Sequence, residues 1–415
     1  MPWDARRVYW INEGAQAFFF AMIFAVYMLF QVSLARLSAL ELVLVGTVLE
    51  ATIFVLEVPT GIVADVYSRR LSVILGVFIT GVSFLIPIGL PVFWGFALSS
   101  LVWGTGYTFT SGATSAWIVD EIGAPNAGEV FLRGSQVAQV AAAVGVLAGA
   151  LLGGLDLRLP VLIGGVGFAG LGVLLSLKMP EVGFHPTVTT TRSMTPDMLG
   201  TFRQGIGLVR RRPLLVMIFV VTAIAGASSE GYDRLWTAHL VDGIGFPALD
   251  GVKPVHWIGG MSMASMLLSA VAAGVIRKRL NTADSGPVAR ALAGAYLVVA
   301  GGAVALALAG EIWLAVLAWL AVAIAREVAW PLQDTWINQQ VDSRVRATVL
   351  SMSGQMDAAG QILGGPVLGA IGTFWSIRAA LFASGLLLTP GIGVYARAWR
   401  AGGGNDVASA PPQDA

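Results

Sequence analysis

Cysteine is absent from the 415 residues, histidine occurs three times, and charged side chains make up only 12%. Without cysteine there is no disulfide, no thiolate metal site and no thiol catalysis, and three histidines leave a soft-metal centre short of ligands. The glycine-rich stretches lack the flanking strand that a phosphate-cradling loop requires, and no Ser/His/Asp or nucleic-acid-binding pattern stands out. No cofactor, metal, nucleic-acid partner or enzymatic activity is expected. What is present is apolar: 56% hydrophobic residues and 51 glycines, with a mean hydropathy of +0.77. That composition is too apolar for a soluble domain and reads as an all-α polytopic membrane protein whose partner is the lipid bilayer.

Apolar runs long enough to cross a bilayer, about 20 residues each, fall at 8–34, 39–66, 71–92, 94–119, 130–154 and 158–178. A second set falls at 213–240, 255–276, 287–308, 311–337, 346–371 and 374–396. Twelve spans in two sets of six follow. Arg6 and Arg7 precede the first run, which no small-residue cleavage site follows, so a retained first helix is expected and not a signal peptide. Basic residues set the orientation. With the N-terminus inside, nineteen lysines and arginines lie in inner connections and four in outer ones, while Arg234 and Arg326 sit within helices. Both termini are expected in the cytoplasm, in a multi-pass protein of the cytoplasmic (inner) membrane.

The expected organisation is a six-helix bundle over 1–178, a cytoplasmic linker over 179–212, a second six-helix bundle over 213–397 and a disordered tail over 398–415. The linker is rich in Thr, Pro and Arg, with a short surface helix expected at 196–209. The tail is rich in Gly, Ala and Pro.

The second apolar run closes with EVPTGIVADVYSRRL, Glu57 to Leu71. Its Gly61, Ala64, Asp65, Arg69 and Arg70 match a Gly-x-x-Ala-Asp-x-x-x-Arg-Arg pattern that resembles the loop after the second helix of the major facilitator superfamily. The resemblance implies twelve helices in two parallel six-helix repeats, and a cytoplasmic gate made by Gly61, Asp65, Arg69 and Arg70. Gly61 would allow close helix approach. The fifth run holds Gly145, Gly149, Gly153 and Gly154, which resembles the fifth-helix glycine motif of the superfamily's drug/proton antiporters, with Ala150 in place of their proline. Glycines four apart share a helix face, so helix packing is the competing reading. A fixed offset of 219 carries Trp117 and Ile118 onto Trp336 and Ile337, Gln136 onto Gln355, Gly145 onto Gly364 and Gly153 onto Gly372. Parallel repeats about an axis along the membrane normal are the organisation that the resemblance implies.

An ionisable group inside an apolar helix costs about 2.5 to 3.5 kcal/mol on insertion scales, so each is a functional candidate. Glu50, Glu57, Glu230, Asp233, Glu327 and Asp357 are proton-coupling candidates. Arg234 and Arg326 are charge partners, and Asp357 lies at a depth where it could pair with Arg326. Acids outnumber bases, and burial without countercharge favours a protonated carboxyl. The competing readings are structural: Arg326 as a fixed countercharge, and Glu57 as a helix-end hydrogen bond. Asp120 and Glu121 end the fourth run, where solvation or salt bridges to neighbouring loops are expected.

Polar stripes mark faces that meet protein or water. Asn12, Gln16, Tyr27 and Gln31 form one in the first span, with Phe20 between them. A substrate cavity is expected among spans one, two, seven, ten and eleven, lined by these four and by Trp236, Trp330, Gln355 and Gln361. The expected function is secondary active transport by alternating access, as a monomer, with protons driving export of a small amphipathic or cationic compound such as a drug. Import or uniport of a polar solute, lipid flipping and a non-transporting sensor are the alternatives.

Overall fold

A computed structural model describes residues 3–185, 213–341 and 346–400. The expected surface helix at 196–209, the basic residues Arg192, Arg203, Arg210, Arg211, Arg212 and Arg344, and the tail from 401 onward lie outside the described residues. Everything long in the described chain is helical. Hydrocarbon offers backbone N–H and C=O groups no partner, and a helix satisfies both within one segment.

The first set comprises α1 (Ala5–Leu29), α2 (Ala39–Val66), α3 (Arg69–Gly89), α4 (Phe93–Thr110), α5 (Ala113–Ile122), α6 (Ala124–Leu155) and α7 (Arg158–Lys178). The second comprises α8 (Pro213–Ala238), α9 (Pro254–Arg279), α10 (Ser285–Leu308), α11 (Ile312–Gln340), α12 (Arg346–Phe374), α13 (Ile377–Leu387) and α14 (Thr389–Arg400). Both opening helices, α1 and α8, end in π-helical turns, Phe30–Leu34 and His239–Ile244.

Local signals fix several boundaries. The Asp4 side chain accepts from the amides of Arg6 and Arg7 to start α1. Ser38 and Glu41 form a reciprocal capping box on α2, and Ser68 caps α3 through the amide of Leu71, each meeting amides that a first turn leaves without partners. The run expected to be continuous over 94–119 is broken, because Gly112 takes φ 71° and separates α4 from α5. The last run is also broken, at Leu388, and its helix continues to Arg400. With each broken pair taken as one pass, the fourteen helices among the described residues make twelve passes. Among the described residues, nine helical segments are long and apolar enough to cross a membrane by themselves.

Two compact units result, one of Met1–Pro196 with Phe246–Met263, the other of Asp197–Gly245 with Ala264–Ala415. The boundary therefore runs through α9. Its first turns belong to the first unit because Gly153 meets Val255, Gly154 meets His256 and Gly259 meets Ala150, while the Lys253 ammonium donates to the Gly154 carbonyl at 2.6 Å.

In the first unit α1 lies against α6. A Cβ on Gly145 would strike the Phe18 carbonyl, and one on Gly149 the Met22 carbonyl. Those glycines, with Gly153 against Val26, give the backbone contact that substitutes for hydrophobic drive between helices in lipid. Between α1, α3, α4 and α7 sits an aromatic core, with Phe20 and Phe168 at 4.7 Å, Phe24 and Trp103 at 5.3 Å, and Phe84 and Trp103 at 5.5 Å between centroids. The second unit repeats the scheme. Gly360 and Gly364 of its fifth pass, α12, meet Ala223 and Ala227 of its first, α8. Gly145 and Gly364, aligned by the internal repeat, thus do the same work in both units.

Replacing Gly149 by Ala forces its methyl against the α1 backbone and is expected to cost about 1 to 3 kcal/mol. Gly170→Ala, where a Cβ meets nothing within 4 Å, is expected to change stability by no more than about 0.5 kcal/mol. Unfolding of the two purified variants in detergent checks this.

Candidate functional site: a charged cavity in the second unit

A cavity of about 550 Å3 opens within the second unit. Its lining follows helical spacing: Thr222, Ala225, Ser229, Tyr232 and Asp233 from α8, Arg326, Trp330, Gln333 and Asp334 from α11, and Ser353, Asp357 and Gln361 from α12. Steps of three and four run through each set, and Asp233 and Asp334, one residue beyond Tyr232 and Gln333, widen the face.

The strongest contact is bidentate. Arg326 donates from Nη1 to Asp233 Oδ1 at 2.5 Å and from Nη2 to Oδ2 at 2.8 Å. A planar guanidinium matches a carboxylate in this way, giving direction as well as attraction. The side chains remain 31% and 43% exposed, so water in the cavity screens the pair and its strength lies well below that of a dry one. The pairing of Asp357 with Arg326 offered by the sequence is replaced: Arg326 goes to Asp233, and Asp357 accepts from Gln361 Nε2 one turn along α12 at 2.8 Å.

A neutral wall completes the cavity. The Tyr296 hydroxyl donates to Gln333 Oε1 at 2.9 Å, and Gln333 Nε2 donates to the Thr222 hydroxyl at 3.2 Å. Thr222 in turn meets Ser353 at 3.4 Å. Tyr232, Tyr296, Gln333, Thr222 and Ser353 were not singled out from sequence. The signal for Gln333 was there, since it lies two helical turns from Arg326 and so on the same face.

The other candidates of this half are dispersed. Glu230 is 3% exposed and accepts from Arg234 at 2.9 Å along α8, outside the cavity lining. Glu327, next to Arg326, is turned away and exposed, because one residue along a helix rotates a side chain by about 100°. Trp236 packs on Trp319 at 5.0 Å between centroids, and Gln355 is half-buried outside the lining.

In the first unit the stripe of α1 turns into the core. Gln31 is fully buried and Asn12 is 2% exposed, Gln16 donates to Asn12 at 3.0 Å, and the Tyr27 hydroxyl meets that of Ser99 at 3.3 Å. Within the first unit Asn12, Tyr27 and Gln31 are buried against protein, and Gln16 is half-buried. Glu50 is half-buried. Glu57 accepts from the Ser111 hydroxyl at 2.7 Å, at the break between α4 and α5, while its second carboxylate oxygen is buried without a partner.

The residues matched to a gate take different partners. Arg69 reaches Asp120 at 2.5 Å and the Ala116 carbonyl at 2.9 Å, with Asp65 more distant at 3.5 Å. Asp65 is 54% exposed, and such a pair contributes little. Gly61 has open space where a Cβ would stand, so the close helix approach implied for it is not made. Arg70 instead clasps the segment after α7, donating to the carbonyls of Met179 at 2.8 Å and Ser176 at 2.5 Å. Glu181 accepts from Ser68 at 2.7 Å and from the Arg70 amide at 2.9 Å. Trp117 donates to the Pro180 carbonyl at 2.8 Å, and Glu121 accepts from the amides of Val182 and Gly183 at 2.7 Å each. The sequence marked the start of the linker as polar, and nothing in its composition announced that it is bound this closely.

No family profile matches the chain, and no curated protein does. Solved structures match along nearly its whole length. The nucleoside transporter NupG is 15% identical with a TM-score of 0.72, over 96% of this chain and 99% of that one. A POT family transporter in complex with a thioalcohol-conjugated peptide is 13% identical with a TM-score of 0.73, over 96% and 98%. A bacterial homologue of the human lysosomal transporter Spinster, inward-facing and unoccupied, is 14% identical with a TM-score of 0.73, over 97% and 98%. At these identities the likeness carries the fold: twelve membrane helices in two parallel six-helix repeats, the major facilitator architecture.

Asp233→Asn and Arg326→Gln each strand a charge in the cavity, whereas the double variant strands none. A double-mutant cycle on unfolding is expected to give a coupling energy of about 0.5 to 3 kcal/mol. Additive losses would mean that the pair does not stabilise the second unit.

Proposed function

We propose that this chain is a secondary transporter of the major facilitator type that works by alternating access and exports a small amphipathic or cationic compound in exchange for protons. The observation that carries the reading is the 550 Å3 cavity, of a size suited to small molecules, which holds an ion pair and further carboxylates inside a membrane-spanning bundle. Packing alone gives no reason to retain such groups in an apolar helix. On this reading the protein is a monomer of the inner membrane with both termini in the cytoplasm, and Arg69 with Asp120 and Arg70 with the segment after α7 hold the cytoplasmic end of the first unit.

The proton has a natural carrier in Glu57, whose second oxygen lies buried and unpartnered beside the break in the fourth pass. Glu50, one turn pair earlier on α2, serves the same path. A proton moving inward down about 100 mV supplies roughly 2.3 kcal/mol per charge, enough to bias a cycle of two near-balanced states. Import of a polar solute by symport is the second reading, and the hydrogen-bonded wall of Tyr296, Gln333 and Thr222 is the observation in its favour.

In liposomes containing the purified protein, an imposed pH gradient is expected to drive accumulation of a lipophilic cation, and a protonophore to abolish it. Glu57→Gln is expected to keep substrate exchange and lose gradient-driven accumulation. Solute movement indifferent to the gradient would sink antiport, and co-movement of solute and proton in one direction would favour symport.

A further inference from the structure

The acids of the second unit's cavity are unequally matched. Asp233 engages both terminal nitrogens of Arg326, which sets a carboxylate charge against the guanidinium charge. Among the described residues Asp357 forms no ion pair, and its hydrogen bond comes from the neutral amide of Gln361. Asp334, also on the lining, likewise has no basic partner among the described residues. The charge left over in the cavity is negative.

A second feature is a hydroxyl beside this charge. Tyr232 lines the same cavity and is only 5% exposed, yet its hydroxyl has no hydrogen-bond partner. Buried polar groups are nearly always paired, and leaving one unpaired costs about 1 to 3 kcal/mol. The hydroxyl itself is closed off from the cavity space, so a shift of the Tyr232 side chain is what would offer it to a polar ligand. Beside the hydrogen-bonded wall, part of the lining is apolar or aromatic, with Val299, Ala303, Leu350 and Trp330. An ammonium head gains from a carboxylate and from an aromatic face, while its hydrocarbon body gains from leaving water.

We propose that this cavity binds an organic monocation, an ammonium with an apolar body, whose charge is met by Asp357 and whose N–H donors are read by the uncommitted hydroxyl of Tyr232. The Arg326–Asp233 pair offsets the guanidinium charge, so a carboxylate ligand would meet the surplus carboxylates Asp357 and Asp334 on the lining. The proposal rests on reading the cavity as the transport site and specifies what it takes.

The test uses the full chain in lipid nanodiscs and isothermal titration with aryl-alkylammonium ions of two chain lengths, each set against the carboxylate of matching shape. The ammonium is expected to bind at least tenfold more tightly than its carboxylate. Asp357→Asn is expected to weaken ammonium binding at least tenfold, Asp357→Glu to restore most of it, and Tyr232→Phe to weaken a primary ammonium more than its trimethylated form. Equal or better binding of the carboxylate, no ammonium binding at all, or an undiminished affinity in a folded Asp357→Asn protein would overturn the proposal. If that variant does not fold, the charge preference of the unaltered protein decides. Ammonium binding without movement across liposome membranes would keep the site and reject transport. Transport of other solutes without ammonium binding would do the reverse.

Discussion

Hydrocarbon solvates neither a peptide group nor a charge, and the whole molecule answers to that constraint. Every pass is a helix because a helix leaves no backbone group unsatisfied along its length. Helices then have little to gain from burying leucine away from lipid, so contact must come from close approach. Glycine ladders supply it, Gly145, Gly149 and Gly153 of α6 against α1 in the first unit and Gly360 and Gly364 of α12 against α8 in the second. Charges are admitted where a partner or a cavity receives them. Arg234 takes Glu230, Arg326 takes Asp233, and Arg69 takes Asp120.

The same constraint explains what could be read from sequence. Spans are legible because the bilayer imposes their length and composition, and the twelve runs coincide with the twelve passes. The ladder glycines are legible because spacing by four defines a face. The sequence marked Asp233 and Asp357 as proton-coupling candidates, Arg326 as their charge partner and Gln361 and Trp330 as cavity candidates, and all five fall on one cavity lining. The ionisable ones stood out because a charged group in an apolar helix must face something other than lipid. The other side of that rule is ambiguous. Asn12, Tyr27 and Gln31 obey it by facing protein, and nothing in a single helix distinguishes a protein-facing stripe from a water-facing one.

Pairings between helices were not legible at all. Depth offered Asp357 to Arg326, and that Asp233 takes the guanidinium instead depends on how α8, α11 and α12 approach one another. Gly112 breaks the fourth pass through a positive φ that its neighbours do not signal, and the break is what brings Ser111 to Glu57. The segment after α7 was read by composition as linker. Yet Arg70, Trp117, Glu121 and Glu181 fasten it through backbone groups, which every sequence has and which no motif records. The assignment of α9 to both units had the same cause, a contact between glycine faces far apart in the chain.

The two units therefore contribute different chemistry to one account: a carboxylate with an unpartnered oxygen on α2 in the first, and a cavity with surplus negative charge among α8, α11 and α12 in the second. Because the chain has no cysteine, one introduced thiol reports without background. The most direct test of the cavity as an alternating-access site places it at Ser229, on the lining, and treats right-side-out and inverted vesicles with a membrane-impermeant thiol reagent. The account predicts labelling from both sides during turnover and protection by an ammonium ligand. A thiol that reacts from neither side, or that reacts equally with and without ligand, would contradict it.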